Sequence, residues 1–444
     1  MRKLGKIGTL IVGVMVLLTG IWHALSAQSL VEPQPISSTF SGSILAASDA
    51  DMIATAYANG VLNKVEGIED TLSYLHIENG TPVIDSRVHA SNSVISWPAI
   101  VEWYQPKKYA YVAETRGIYA AEPNKMQDVF SDFPDGQRIT VVDYQDARKP
   151  IVVQDTFVGK NLQSVSMNHA GTLLAAGTTE QGKELMIATL REGLIDKLFY
   201  FTESKIDPTG SQDRGVRTVE FHPNKNILGV NLNGTGVAFY KVIVSESDIQ
   251  IARLGNTLTV GKKLSVGNWH PSGEYFLISD VAWGNGALGY IFNGKGKLLS
   301  VKFEEAGVHS LVSSVKVGLS PEGFDISPDG TYAIAVNMRR TFGPRQFWFI
   351  PGRTKSSLSL VKIDSQNGQL ERVGKQYGFE GALPEDAVFD LESNSIAVAV
   401  YQEQDIDHPR QGWIDFWEIR EEQLVKTQTR VWVTRGVHNL LLIP

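Results

Sequence analysis

One short pattern, repeated along the chain, constrains its fold more than any other feature. The clearest copy is Pro321–Asn337, P-E-G-F-D-I-S-P-D-G-T-Y-A-I-A-V-N. Two short runs, F-D-I and Y-A-I-A-V, flank Ser327-Pro328-Asp329-Gly330, and period-two runs on either side of Pro-Asp-Gly read as a hairpin. Proline presets φ at the second turn position, aspartate bonds its own backbone, and glycine accepts positive φ. Further copies are F-H-P-N-K-N-I-L-G-V at Phe221–Val230 and W-H-P-S-G-E-Y-F-L-I at Trp269–Ile278. Weaker ones start at Tyr104, Met167 and Phe389, and a degenerate seventh covers Ala47–Ala56.

Aligned on the proline slot, the anchors are Ser48, Pro106, Ala170, Pro223, Pro271, Pro328 and Leu391, spaced 58, 64, 53, 48, 57 and 63 residues apart. A minimal four-stranded propeller blade needs about 40–50 residues, so several blades carry inserts. The spacing predicts an all-β fold over residues 44–444: a seven-bladed β-propeller of four-stranded antiparallel blades. The run after Arg435-Gly436, V-H-N-L-L-L-I-P, is placed to complete the first blade, so that N- and C-terminal strands close the ring and remove exposed sheet edges.

The first 27 residues read as a signal peptide. Arg2, Lys3 and Lys6 precede an apolar run at Ile7–Ile21, and small residues follow near Ala27. Cleavage there predicts a periplasmic or extracellular protein with no membrane attachment, and residues 28–43 read as a linker or extended lead-in. The chain has no cysteine, which removes disulfides, thiolate metal sites and cysteine nucleophiles together. A net charge of −7 does not suit a nucleic-acid surface. No zinc-type histidine spacing, phosphate loop or nucleophile elbow occurs, so no metal or cofactor is expected. His222 and His270 share one slot before proline, which suggests a structural hydrogen bond.

The copies at Phe221, Trp269 and Phe324 resemble bacterial propeller repeats of the YVTN and lactonase-like type. These sit in a wider group with WD-repeat and quinoprotein amine dehydrogenase propellers. P-E-G-F-D-I-S-P-D-G-T-Y-A-I-A-V at Pro321–Val336, H-P-S-G-E-Y at His270–Tyr275 and K-K-Y-A-Y-V-A-E-T at Lys107–Thr115 carry the resemblance. It implies an architecture, while Y-V-T-N and Trp-Asp themselves are absent.

In that topology, function gathers at the channel mouth where innermost strands begin. Six residues before the anchor stand Ile100, Ser164, Arg217, Ser265, Glu322 and Glu385. Glu322, Glu385 and Arg217 form a candidate catalytic funnel, able to bind a polar ligand or do acid–base work. The same charges also fit a solvated rim. Asp325 and Asp386 beside them read as backbone acceptors. Candidate ligand contacts are Ser164, Ser265 and three insert arginines, Arg339, Arg340 and Arg345. Glu403, Asp405 and Asp407 lack a calcium-loop spacing and read as a solvated acidic loop.

Three functions fit this pattern. The leading one is a monomeric, exported platform that binds a small ligand or an envelope protein through its insert-bearing face. The alternative is a lactonase-like hydrolase that uses the Glu/Arg funnel. A redox subunit resembling amine dehydrogenase heavy chains is the third.

Overall fold

Seven antiparallel sheets of four strands stand in a ring in the computed structural model of this protein, which describes residues 29–119, 124–202, 206, 215–284, 293–343, 355–403 and 408–444. Blades 2 to 7 begin with innermost strands Val101–Tyr104, Ser164–Met167, Val216–Phe221, Leu264–Trp269, Pro321–Ile326 and Ala387–Phe389. Blade 1 is assembled from both ends of the chain. Its second strand, Ser43–Ser48, pairs antiparallel with the C-terminal Val437–Ile443, with Ser43 opposite Ile443 and Ala47 opposite Asn439. The C-terminal strand is therefore innermost in blade 1 and touches the innermost strands of blades 2 and 7.

This offset corrects the seventh repeat. Ser48 ends the second strand of blade 1 and is not an innermost-strand turn. The corresponding turn is where the chain's two ends meet, so six copies of the pattern serve seven blades.

Those six turns are closed by backbone bonds that fix the register. His222, His270, Ser327 and Asp390 donate their N–H groups to the carbonyls of Ile227, Tyr275, Tyr332 and Ser395. Asn168 does the same to Leu173, and Tyr104 pairs with Tyr109. In blades 2 and 3 the repeat thus runs one residue earlier than the Pro106 and Ala170 anchors. The turn chemistry follows the sequence: Gly330 sits at φ +75°, and Asp329 Oδ1 accepts from Thr331 N at 2.9 Å. His222 and His270 reach outward from their turns to the next blade, with Nε2 3.1 Å from Gly273 O and 3.0 Å from Gly330 O. These imidazoles staple neighbouring blades.

Apolar side chains on both faces of the blades fill the space between sheets, so the core is a set of inter-blade wedges. The connections entering the innermost strands and those joining second to third strands lie on one face. Inserts there form a second, smaller apolar cluster that includes Met52, Leu62, Val94, Val129, Phe342 and Tyr401. It contains two single-turn helices, Ala56–Asn59 and Val129–Asp132. Residues 30–38 run along the outer strands of blades 6 and 7, where Val31 N donates to Gly378 O and Gln34 N to Lys426 O, both at 2.8 Å. No helix among the described residues is long and apolar enough to cross a membrane. The signal peptide expected at residues 1–27 lies outside the described residues.

Candidate active site at the channel mouth

Each innermost strand presents one residue to the mouth, five positions before its turn. With the corrected register these are His438, Ala99, Gln163, Arg217, Ser265, Glu322 and Glu385 in blades 1 to 7. Blades 6 and 7 come unusually close here. A Cβ on Gly323 would lie 2.0 Å from the Glu385 carbonyl oxygen, so the strand after Glu322 needs glycine to approach.

Glu322 and Glu385 are 6% and 2% exposed. Burial pushes the Glu322 carboxyl up to about 8, with Lys263 pulling the other way. Burial raises Glu385 well above the carboxylate range, and the charges of Glu322, Asp49 and Asp386 add to it. The structure therefore brings together the two glutamates that the repeat alignment paired.

His438 joins them. It is fully buried, its Nε2 is 2.8 Å from Asn92 Oδ1, and Asn92 Nδ2 donates to Ala90 O and Ser48 O. With the amide oriented that way, Nε2 carries the hydrogen and Nδ1 is a bare lone pair. Nδ1 lies 4.0 Å from Glu385 Oε2, and neither atom has a hydrogen-bond partner. Burial pulls His438 down to about 3. Burial thus favours the neutral form of both facing groups.

The opposite side of the mouth is cationic. Lys263 and Arg217 are half-buried. The Arg217 guanidinium lies 5.7 Å from the Trp97 ring centroid and Lys263 Nζ 5.1 Å from that of Trp283. Burial lowers the Lys263 pKa first, repulsion from Arg217 lowers it further, and Glu322 opposes both.

The other sequence candidates are placed differently. Ser164 stands one position beyond the mouth ring. Its hydroxyl accepts from Val219 N at 3.0 Å, clamping blade 3 to blade 4. Ser265 Oγ donates to Glu322 O at 2.6 Å and is bonded to Ser279 Oγ, so it holds the Glu322 backbone. Arg339 and Arg340 are buried instead of displayed on a loop surface. Their guanidinium groups donate to Lys355 O and Asn293 O at 3.2 and 3.0 Å, tying the blade 6 insert to its surroundings. Arg345, Asp405 and Asp407 lie outside the described residues. Asp325 and Asp386 accept backbone N–H bonds from the next blade, at Phe389 and Leu440, both 2.8 Å.

Beside the mouth, Asp49, Asp51 and Asp70 bring carboxylate oxygens within 4.8 Å of one another. Asp49 accepts from the N–H groups of Asp51 and Val94, and Asp70 from those of Ala50 and Asn92. These bonds make the cluster a staple for the inserts of blades 1 and 2.

The repeat alignment missed His438 because the closing strand lacks a turn to align on. Carrying the alignment through Val437–Ile443 as the innermost strand of blade 1 places it. Lys263 and Trp97 share a slot two positions before the mouth residues Ser265 and Ala99, which the one-residue slip in blade 2 hid.

No protein-family model and no curated protein matches the chain. Solved structures do. The periplasmic gluconolactonase PpgL of Pseudomonas aeruginosa superposes with a TM-score of 0.62 at 13% identity, over 91% of this chain and 99% of that one. A candidate 6-phosphogluconolactonase from Bacteroides fragilis gives 0.61 at 12% identity, over 93% and 100%. A Lactobacillus plantarum protein gives 0.59 at 15%, over 90% and 99%. At these identities the likeness establishes the fold alone, a seven-bladed propeller.

Proposed function

We propose that this chain is a hydrolase that opens a lactone or similar cyclic ester at the channel mouth. The observation that carries the reading is the unpartnered Glu385–His438 pair, set beside Glu322 and facing the Arg217–Lys263 side. The gluconolactonase named among the structural neighbours supports the same chemistry, and its periplasmic setting agrees with export directed by the leader at residues 1–27.

In this mechanism the ionised fraction of Glu322 takes a proton from water as the water oxygen attacks the ester carbonyl carbon. Its pKa of about 8 is close to that of an effective base at neutral pH. Lys263 and Arg217 stabilise the oxyanion that forms. When the tetrahedral intermediate collapses, the ring C–O bond breaks and the leaving oxygen takes the proton of Glu385. His438 Nδ1 favours the protonated form of Glu385 by offering it an acceptor. The proton held by Glu322 then returns to Glu385, and the site is reset. The two cations also favour a lactone that bears a phosphate or carboxylate.

A binding platform on the insert face has less support, because Arg339 and Arg340 are already engaged with backbone carbonyls. Turnover of a panel of sugar lactones and simple esters tests the proposal. Glu322→Gln and Glu385→Gln should each lower kcat by about 10²–10⁴-fold. Full activity in both variants, or no turnover of any panel member by the native chain, would reject it.

A further inference from the structure

On the face opposite the inserts, blades 1 and 2 leave a cleft of about 400 Å³ between them, within the range of roughly 300–1,000 Å³ typical of small-molecule sites. Its walls are aromatic. Tyr74 of blade 1 stacks on Tyr144 of blade 2 with ring centroids 5.4 Å apart and planes at 30°, and Trp103 lies 6.1 Å from Tyr144 at 55°. Its rim is polar and mixed in character. Two adjacent turns contribute Gln105 and Lys108 from one and Gln145 and Asp146 from the other, all exposed.

The site is built before any ligand arrives. Trp103 Nε1 donates to Gln105 Oε1 at 2.5 Å, which fixes the indole and leaves its face, not its N–H, to offer. Gln145 Nε2 donates to Lys107 O at 2.6 Å and Tyr144 N to Lys108 O at 2.9 Å, locking the two turns together. The Tyr144 side chain is buried, and its phenol oxygen has no hydrogen-bond partner. Buried in this way, Tyr144 backs the half-exposed rings of Tyr74 and Trp103 and is not itself open to a ligand.

We infer that this cleft is a saccharide-binding subsite, separate from the channel-mouth chemistry. A pyranose ring has an apolar C–H face that suits Trp103 and Tyr74, with hydroxyls around its edge that both donate and accept. The rim offers amides, an ammonium and a carboxylate to match. A phosphorylated ligand fits less well, since the single ammonium of Lys108 is offset by Asp146. Stacking on a rigid aromatic platform needs few side chains to be immobilised, which favours affinity.

Isothermal titration of the full-length mature chain with cellotetraose, chitotetraose and maltotetraose tests this. At least one should bind, with affinity weakened at least about tenfold in Trp103→Ala, a loss of roughly 1.4 kcal/mol. Asp146→Ala, at an exposed position, should weaken binding while leaving the melting temperature unchanged, which guards against a Trp103 variant that merely misfolds. Glu385→Gln should bind the sugar normally, so this result is independent of lactone turnover. Absence of binding by all three sugars at millimolar concentration, or unchanged binding in both cleft variants, would overturn the inference.

Discussion

Glu385 and His438 are two titratable groups that a dry, crowded strand end keeps neutral against each other. Desolvation acts on them in opposite directions, raising the acid and lowering the base. If Glu322 is the base that activates water, lactone turnover corrected for spontaneous hydrolysis should climb as pH rises from 6 toward about 8, because the base works when ionised. A flat profile across that range would assign the role elsewhere. Asn92 is a positioning residue whose carbonyl oxygen sets the His438 tautomer. Asn92→Ala should lower kcat with little change in KM and should alter the imidazole nitrogen chemical shifts of His438. Unchanged shifts would mean that the tautomer is set by something else.

Among elements, the innermost strands of blades 6 and 7 are joined by the Phe389 N–H to Asp325 carboxylate bond, and they approach through a glycine. Gly323→Ala forces a Cβ into the Glu385 carbonyl and should separate the two glutamates, costing both stability and turnover. In blade 7 the third and fourth strands share a buried ion network. Asp415 is 2.6 Å from Arg430 Nε and 2.8 Å from Lys426 Nζ, and these partners hold its pKa below the usual value despite burial. Asp415→Ala strands a buried ammonium and should cost about 3–5 kcal/mol, read by chemical denaturation. Removing Val437–Pro444 takes the innermost strand from blade 1, unpairs the edge of Ser43–Ser48 and uncovers the innermost strands of blades 2 and 7. That deletion should abolish cooperative unfolding, and an unchanged melting curve would refute closure by this strand.

Across the molecule, the ring gathers carboxylates into its interior. Burial raises Asp325 to about 6, Glu102 to about 7, and Asp386 and Glu322 to about 8. Below about pH 4 such groups are protonated in folded and unfolded chains alike. As pH rises, the unfolded chain releases these protons first and the folded chain keeps them, so stability falls until the folded values are passed. Asp415 works in the other direction: its contribution is present above the usual aspartate range and lost as pH falls through its lowered value. The melting temperature should therefore be highest near pH 4 and decline toward pH 8. A melting temperature that rises over that interval would show that these carboxylates are ionised in the folded protein.

The sequence by itself determined the blade. Period-two runs and Pro-Asp-Gly turns are local, because each is set by the φ preferences and side-chain alternation of a few adjacent residues. Six such signals, a closing run at Val437–Ile443 and a degenerate seventh copy whose anchor Ser48 proved misplaced specified a seven-bladed ring and set Glu322 and Glu385 at equivalent positions. The anchors in blades 2 and 3 slipped by one residue, since Pro106 falls one place later in its turn, the turn after Asn168 has no proline, and only the backbone bonds reveal the register. Tertiary structure alone decided the rest. His438 belongs to the mouth because the last strand is innermost in the first blade, a contact across nearly the whole chain length. Lys263 and Trp97 share one slot of the repeat, yet their partners across the mouth come from other blades. Arg339 and Arg340 are ordinary loop arginines in sequence, and they are buried because neighbouring loops offer carbonyls at the right distance. Burial and pairing are properties of what surrounds a side chain, and most of those surroundings come from other blades.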